Sequence, residues 1–268
     1  HGVIMGEIIF VGLGMSKPED MSVKALETLR SSDKIFAEFY TSKLIDSSIE
    51  DLENFIGKKI TVLKRSDVEE HDTIIEEAKC GKVSFVTAGD PMSATTHVDI
   101  RLRAEKENIP TKLLHGVSIF TACAAAFGLQ PYKFGRAVTI PFPEPGFLPA
   151  SPYDNILENF ERGLHTLILL DIKADESRYM TANIAMQWLL DAEERLHKNL
   201  ITDTSLFCAG ARIGSSTQKL VAGSPNSILC ADLGSPLHCL VMPGKLHFME
   251  AESLCAFAGA PKSILNAD

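Results

Sequence analysis

Val83-Ser-Phe-Val-Thr-Ala-Gly-Asp-Pro-Met-Ser-Ala-Thr-Thr-His97 is the stretch on which the fold turns. Val83 to Thr87 is short, mostly apolar and β-branched, the pattern of a strand buried on both faces. It breaks at Ala88-Gly89, where glycine admits backbone angles that other residues resist. Asp90 then precedes Pro91, a pair expected at the N-cap and first position of a helix. A carboxylate at the carboxyl end of a buried strand also lies where open α/β sheets bind ligands. Asp90 is therefore read in two ways, as a helix cap and as a ligand contact.

Upstream, residues 6–11 read as a strand ending in Gly12-Leu13-Gly14. Lys17 stands where the third glycine of a dinucleotide fingerprint would fall, so the first two glycines alone are a weak signal for NAD. Apolar spacing predicts helices over 21–29, 47–56 and 72–79, with Ser47 and Glu50 as a capping box. Strands are expected over 34–39, 59–63 and 111–114, and a charged helix over 97–107 exposing Arg101, Arg103, Glu105 and Lys106. This alternation predicts a doubly wound α/β unit with a mostly parallel sheet over residues 5–114.

Downstream, His115-Gly116-Val117-Ser118 is a second break at a strand end, followed by a small-residue helix over 119–127. Ser118 suits its N-cap, and the open amides of such a helix start favour a carboxylate or polar ligand. Prolines 131, 141, 143, 145, 149 and 152 then crowd one segment, and 141–152 is expected to be a long ordered loop across a cleft. Further strands are read over 136–140, 166–170, 204–213, 220–222 and 237–242, and helices over 153–162, 179–196 and 246–258. Hairpin-like and crossover connections mix here, which predicts a C-terminal α/β domain over 115–268 with a mixed sheet.

Composition narrows the function classes. A chain of 268 residues, 45% hydrophobic and 23% charged, can bury a full core in one or two domains. A formal net charge of −9 argues against nucleic acid as the main partner, because phosphate binding needs a basic face. No apolar run approaches membrane-spanning length and no signal peptide is visible. Cys80, Cys123, Cys208, Cys230, Cys239 and Cys255 form no CxxC pair, and reduced, buried thiols in a cytosolic protein are expected. No His, Cys or carboxylate cluster has metal-ligand spacing.

Several blocks taken together are more specific than any one glycine loop. Val11-Gly-Leu-Gly14, Thr87-Ala-Gly-Asp-Pro-Met92, Ala94-Thr-Thr-His97 and His115-Gly-Val-Ser-Ile119 are followed by Gly128-Leu-Gln-Pro-Tyr-Lys-Phe-Gly135 and Leu169-Leu-Asp-Ile-Lys173. Arg178-Tyr-Met180, Ala211-Arg-Ile-Gly214 and Pro243-Gly-Lys-Leu-His247 complete the set. In these blocks the chain resembles the diphthine synthase family of the tetrapyrrole methylase superfamily, archaeal members more than eukaryotic ones. The resemblance implies a two-domain α/β homodimer in the cytoplasm that binds S-adenosylmethionine in the cleft between domains. It implies translation elongation factor 2 as the protein substrate, methylated repeatedly on the amino group of an amino-carboxypropyl-histidine. Carried over by motif, the cofactor contacts are Leu13, Asp90, Ser93, Ser118, Ile119, Leu169, Ile213 and His238. The apolar ones among them would act through backbone groups and packing.

The chain departs from the wider superfamily at the first loop, where Gly12-Leu-Gly-Met-Ser-Lys-Pro18 replaces the Gly-Pro-Gly-Asp-Pro of many tetrapyrrole methylases. That weighs against the alternative of a tetrapyrrole or precorrin substrate. A nicotinamide-dependent dehydrogenase is weakened by the missing glycine and by the want of a clear ribose-binding acid, for which Glu38 is the nearest candidate. A noncatalytic binding module is the remaining class. His238, inside an apolar strand, is either a satisfied core residue or a ligand. His97 either faces the cleft or caps a turn, and Asp171 either binds the substrate amine or fixes the loop at Lys173. These two are the best base candidates, and no side chain is expected to be an obligatory base. Aligning the amine is the larger lever, since well-oriented groups reach effective molarities of about 10⁵ M and above.

Overall fold

The computed structural model describes residues 6–266, so Met5, where the sequence reading starts the first domain, lies outside it. The chain divides into two compact units, one through Ile119 and one from Phe120.

In the first unit the elements are β1 (Glu7–Gly12), α1 (Val23–Arg30), β2 (Lys34–Ala37), α2 (Ile49–Ile56) and β3 (Thr61–Val62). Next come α3 (Arg65–Glu69), α4 (Thr73–Ala78), β4 (Lys82–Thr87), α5 (Val98–Lys106) and β5 (Thr111–Leu114). The strands form one parallel sheet of five in the order β3-β2-β4-β1-β5. Successive side chains of a strand point to opposite faces, so β1 feeds two cores. Ile8 and Phe10 join Phe85, Ile75 and Ile100 on one face, while Ile9 and Val11 join Leu29, Leu52 and Val86 on the other. Burial on both sides is why β4 reads as a near-continuous apolar run. Adjacent β1 and β4 send their chains to opposite sides, β1 on to β2 and β4 on to β5. The topological switch point therefore lies at their carboxyl ends, where such sheets take ligands.

The second unit begins with α6 (Ile119–Phe127), whose first residue closes the first unit. Its elements continue as β6 (Val138–Ile140), α7 (Ser151–Glu161), β7 (Thr166–Leu170), β8 (Ile172–Lys173), β9 (Arg178–Tyr179) and α8 (Ala182–Leu196). After these come β10 (Phe207–Ala211), β11 (Lys219–Gly223), α9 (Pro225–Cys230), β12 (His238–Met242) and α10 (Phe248–Ala258). The sheet order is β11-β10-β12-β7-β6, antiparallel except for the β6–β7 pair, so the expected mixed sheet is present. Tyr153, Ile168, Met186, Trp188, Leu189 and Phe207 centre its core.

A lysine-led knot ties this unit together. Glu250 on α10 is buried, accepts from Lys133 Nζ and from the Gln130 and His247 amides, and bonds His165 Nε2 at 2.7 Å. The other ring nitrogen of His165 accepts from Gly244 N at 2.8 Å, so the proton sits on Nε2. Burial pushes the His165 pKa down. Burial alone would push Glu250 up, but hydrogen bonds from Lys133, the two amides and His165 hold it at about 2.

Several local expectations are corrected. Asp90 and Pro91 do not start a helix; turns and bends run to the start of α5 at Val98. Asp90 spends its carboxylate on loop donors, and the chain passes Ala94 at a positive φ of 58° before it can coil. The capping box of α2 is Ser48 with Asp51, one residue later than read, because Ser48 has the extended backbone that a cap needs. Arg103 is not simply solvated, since it reaches the carbonyls of Val68 and His71 and the carboxylates of Asp72 and Asp99. Residues 179–181 precede α8 because Tyr179 pairs with Ile172 in a small hairpin that the sequence reading missed. Among the cysteines only Cys123, Cys208 and Cys239 are buried, and all six are free.

Candidate functional site

In the first unit three loops interlock through glycine. A Cβ on Gly12 would meet Gly89 O at 2.5 Å and Gly116 N at 2.6 Å, and one on Gly116 would meet Gly89 O at 2.4 Å. No residue but glycine leaves the ends of β1, β4 and β5 that close. The strand pairing continues past β1, with Leu13 N donating to Thr87 O at 2.9 Å and Gly89 N to Gly14 O at 2.7 Å. Leu13 itself is fully buried, and its amide is spent on Thr87 O.

Asp90 sits at the centre of these loops and is 8% exposed. One carboxylate oxygen takes His115 Nδ1 at 2.8 Å and Gly116 N at 3.3 Å; the other takes Met92 N at 3.1 Å and the Ser93 hydroxyl at 3.4 Å. It thus fastens the loop after β4 to the loop after β5. Ser93 is half-buried at its side, Ser118 is buried just before α6, and Ile119 is half-buried. The structure therefore gathers Leu13, Asp90 and Ser93 with the loop that leads to Ser118 and Ile119.

Two sequence candidates of this unit are spent elsewhere. Glu38 is fully buried and accepts from the amides of Tyr40 and Thr41 and from the Thr41 hydroxyl, so it cannot receive a ribose. It also bonds His97 Nε2 at 2.9 Å. His97 is 1% exposed, packs edge-on against Phe85, and has no partner for Nδ1 among the described residues.

In the second unit the antiparallel sheet brings the other candidates to one end. Ala211 pairs with His238, Leu240 with Ile168 and Ile140 with Leu170, so continuing the register sets His238 level with Leu170. Leu169 is half-buried there, and Ile213 is buried over Gly210. The His238 side chain is fully satisfied. Its Nδ1 accepts from Ala182 N at 3.1 Å, Nε2 donates to Gly234 O and Ser235 O, and burial pushes its pKa down. Any cofactor contact it makes runs through its backbone.

Asp171 is likewise committed, accepting from Phe142 N at 3.0 Å and Ile172 N at 2.9 Å. It fixes the proline-rich loop to the small hairpin, where Arg178 lies 4.3 Å from the Phe142 ring centre and Lys173 pairs with Glu144. Asp171 therefore fixes the loop beside Lys173.

Two further residues organise the loops at these strand ends. Arg212 is buried at a positive φ of 49° and donates to the carbonyls of Thr217, Leu233 and Ser235 and to the Thr217 hydroxyl, pinning the loops on either side of Ile213 and His238. Its only signal was a charge between Ala211 and Ile213 at a strand end. The other is His115, which carries the bond to Asp90 with its side chain 70% exposed. Its signal was its place beside Gly116, directly after a strand.

Among the described residues, no group of three or more His, Cys, Asp or Glu side chains could hold a metal, and no helix is long and apolar enough to cross a membrane. The arrangement sets one buried carboxylate among packed glycine loops at three strand ends, the place where open α/β sheets take ligands.

The family of tetrapyrrole (corrin/porphyrin) methylases matches residues 7–227. A diphthine synthase of Methanocella arvoryzae is 46% identical over 255 residues, covering 94% of this chain and 98% of that protein. One from Methanocaldococcus jannaschii is 46% identical over 250 residues, covering 92% and 97%. A crystal structure of diphthine synthase superposes with a TM-score of 0.88 at 37% identity, covering 96% of this chain and 98% of that one.

Proposed function

This chain belongs to the diphthine synthases, within the tetrapyrrole methylase family of S-adenosylmethionine-dependent methyltransferases, and from that premise we propose that it makes diphthine in diphthamide biosynthesis. The substrate in this reading is translation elongation factor 2 carrying an amino-carboxypropyl-histidine, whose amino group is methylated repeatedly. The single observation that supports it best on the molecule itself is the glycine interlock around Asp90 at the carboxyl ends of the parallel strands. A charged, buried acceptor there suits the amino acid or ribose end of S-adenosylmethionine, and glycine at 12 and 116 lets the loops around it pack closely. Glu38, the acid that a nicotinamide site would need, is closed off.

The residues that would hold the cofactor are Asp90 by its side chain, Ser93 and Ser118 by hydroxyl or backbone, and Leu13, Ile119, Leu169, Ile213 and His238 by backbone and packing. When bound, the cofactor supplies a methyl group on a positively charged sulfur, which an amine can take directly. The chain's own contribution is to hold the loops still, admit an amine that grows with each round, and let it shed its proton. The working form in this reading is a homodimer in the cytoplasm.

Mass spectrometry of purified elongation factor 2 bearing the precursor side chain, incubated with the chain and S-adenosylmethionine, tests the reading. Stepwise additions of one methyl mass on that residue are expected. Tight binding of NADH with no binding of S-adenosylmethionine would end it. Light scattering at micromolar concentration should give twice the chain mass, and a single monomeric mass would remove the dimer.

A further inference from the structure

Every round of amine methylation needs the acceptor nitrogen to hold a free lone pair. An α-type amine has an unperturbed pKa of about 7.7–8.0, so near pH 7 most of it carries a proton that must leave. Each transfer to a primary or secondary amine also returns a protonated product. The two side chains that sequence singled out as bases are both unsuitable: His97 is buried on Glu38, and Asp171 is bound into a loop. The Asp90–His115 pair meets the need.

Asp90 accepts only, so the 2.8 Å contact makes Nδ1 of His115 the donor and leaves Nε2 as the basic nitrogen. The carboxylate that fixes the tautomer is 8% exposed and anchored by three further donors, whereas the His115 side chain is 70% exposed. The base is thus oriented by a rigid partner and open to an incoming group, the arrangement that nucleophile-activating histidines share. Its position adds to this. His115 directly follows β5, stands beside a glycine of the interlock, and precedes Ser118 and Ile119 by three and four residues.

We propose that His115 is the proton acceptor for the methylated amine, held in its working tautomer by Asp90; this rests on the diphthine synthase reading above. The protonated amine gives its proton to Nε2, forming an imidazolium that the Asp90 carboxylate stabilises. The freed lone pair attacks the methyl carbon, and the carbon–sulfur bond breaks with its electrons going to sulfur, which becomes a neutral thioether. Nε2 passes its proton to solvent across the exposed face of the ring, ready for the next round. This departs from the sequence-based expectation that no side chain is an obligatory base.

His115→Asn is the sharp test, because its amide can keep the donor to Asp90 while removing Nε2. Single-turnover methylation of precursor-bearing elongation factor 2, at saturating substrate and cofactor, should fall about 10²-fold or more at pH 7. The deficit should narrow at pH 9, where the amine loses its proton unaided, and added imidazole should restore part of the rate. Affinity for S-adenosylmethionine by calorimetry should stay within twofold of wild type. In the chain without cofactor, ¹⁵N shifts should show His115 protonated on Nδ1, and Asp90→Asn should erode that preference. Equal rates for wild type and His115→Asn would overturn the proposal alone, as would a rate loss matched by an equal loss of cofactor affinity, or an Nε2-protonated ring. A wild-type chain that binds the cofactor yet leaves the factor unmodified would overturn the substrate reading, and the proposal with it.

Discussion

Asp90 and Glu250 each hold a histidine by one short bond, 2.8 Å to His115 and 2.7 Å to His165, and the fate of the second ring nitrogen separates them. In the second unit His165 is wholly buried and its Nδ1 takes an amide of the loop before α10, so both nitrogens are structural. In the first unit the ring projects outward and only Nδ1 is committed to Asp90. Glu38–His97 is a third pair and belongs with the buried kind. A carboxylate–histidine contact is thus no mark of chemistry by itself; it becomes one where the far nitrogen is accessible at a ligand-binding strand end.

The largest effect should come from breaking the buried pair. Glu250→Ala leaves Lys133, His165 and two amides without their acceptor, and should cost about 3–5 kcal/mol in denaturant unfolding. A loss under about 1 kcal/mol would place Glu250 among surface charges.

Acid should expose the same contrast. Burial lowers the pKa of folded His165 and His238, so the unfolded chain binds more protons than the folded one as pH falls below their ordinary value of 6.5, and stability declines. Glu250 is also depressed, so its stabilisation is present above 4.5 and lost as pH falls toward about 2. Unfolding midpoints taken from pH 7 to 3 should therefore drop in two stages, and Glu250→Ala should flatten the second. A single stage unaffected by that substitution would contradict the assignment.

His97→Ala should cost about 1–3 kcal/mol of stability, since it strips a buried carboxylate of a donor, yet most of the single-turnover rate should remain at pH 8.5. A rate loss of about 10³-fold with stability intact would make His97 the base and sink the contrast drawn here. Asp90→Asn should weaken S-adenosylmethionine binding by about 1–3 kcal/mol while melting near the wild-type temperature. Unchanged affinity with lowered melting would reduce Asp90 to a loop fastener. Smallest of all, Asp171→Asn should leave the methylation rate within about twofold, because its carboxylate serves Phe142 N and Ile172 N.

The sequence by itself determined the parallel half of the fold. Runs such as Val83–Thr87 and Gly6–Val11 are buried on both faces, so a continuous apolar, β-branched composition carries the strand assignment without help from distant residues. Gly12, Gly89 and Asp90 were legible for the same reason, since a strand end followed by glycine and a carboxylate is a local pattern. The mixed sheet was also legible in class, through its connections. Only the tertiary structure decided what each polar side chain does. His97 and Glu38 lie 59 residues apart and His165 and Glu250 lie 85 apart, so no spacing rule could pair them. The hairpin of β8 and β9 has two residues per strand, too few for a periodicity to register. Local pattern placed Asp90 at a helix start, and the fold instead gave its lone pairs to His115, Gly116, Met92 and Ser93. Which nitrogen of a histidine stays accessible depends on every group packed around it, and that is fixed only when the chain has folded.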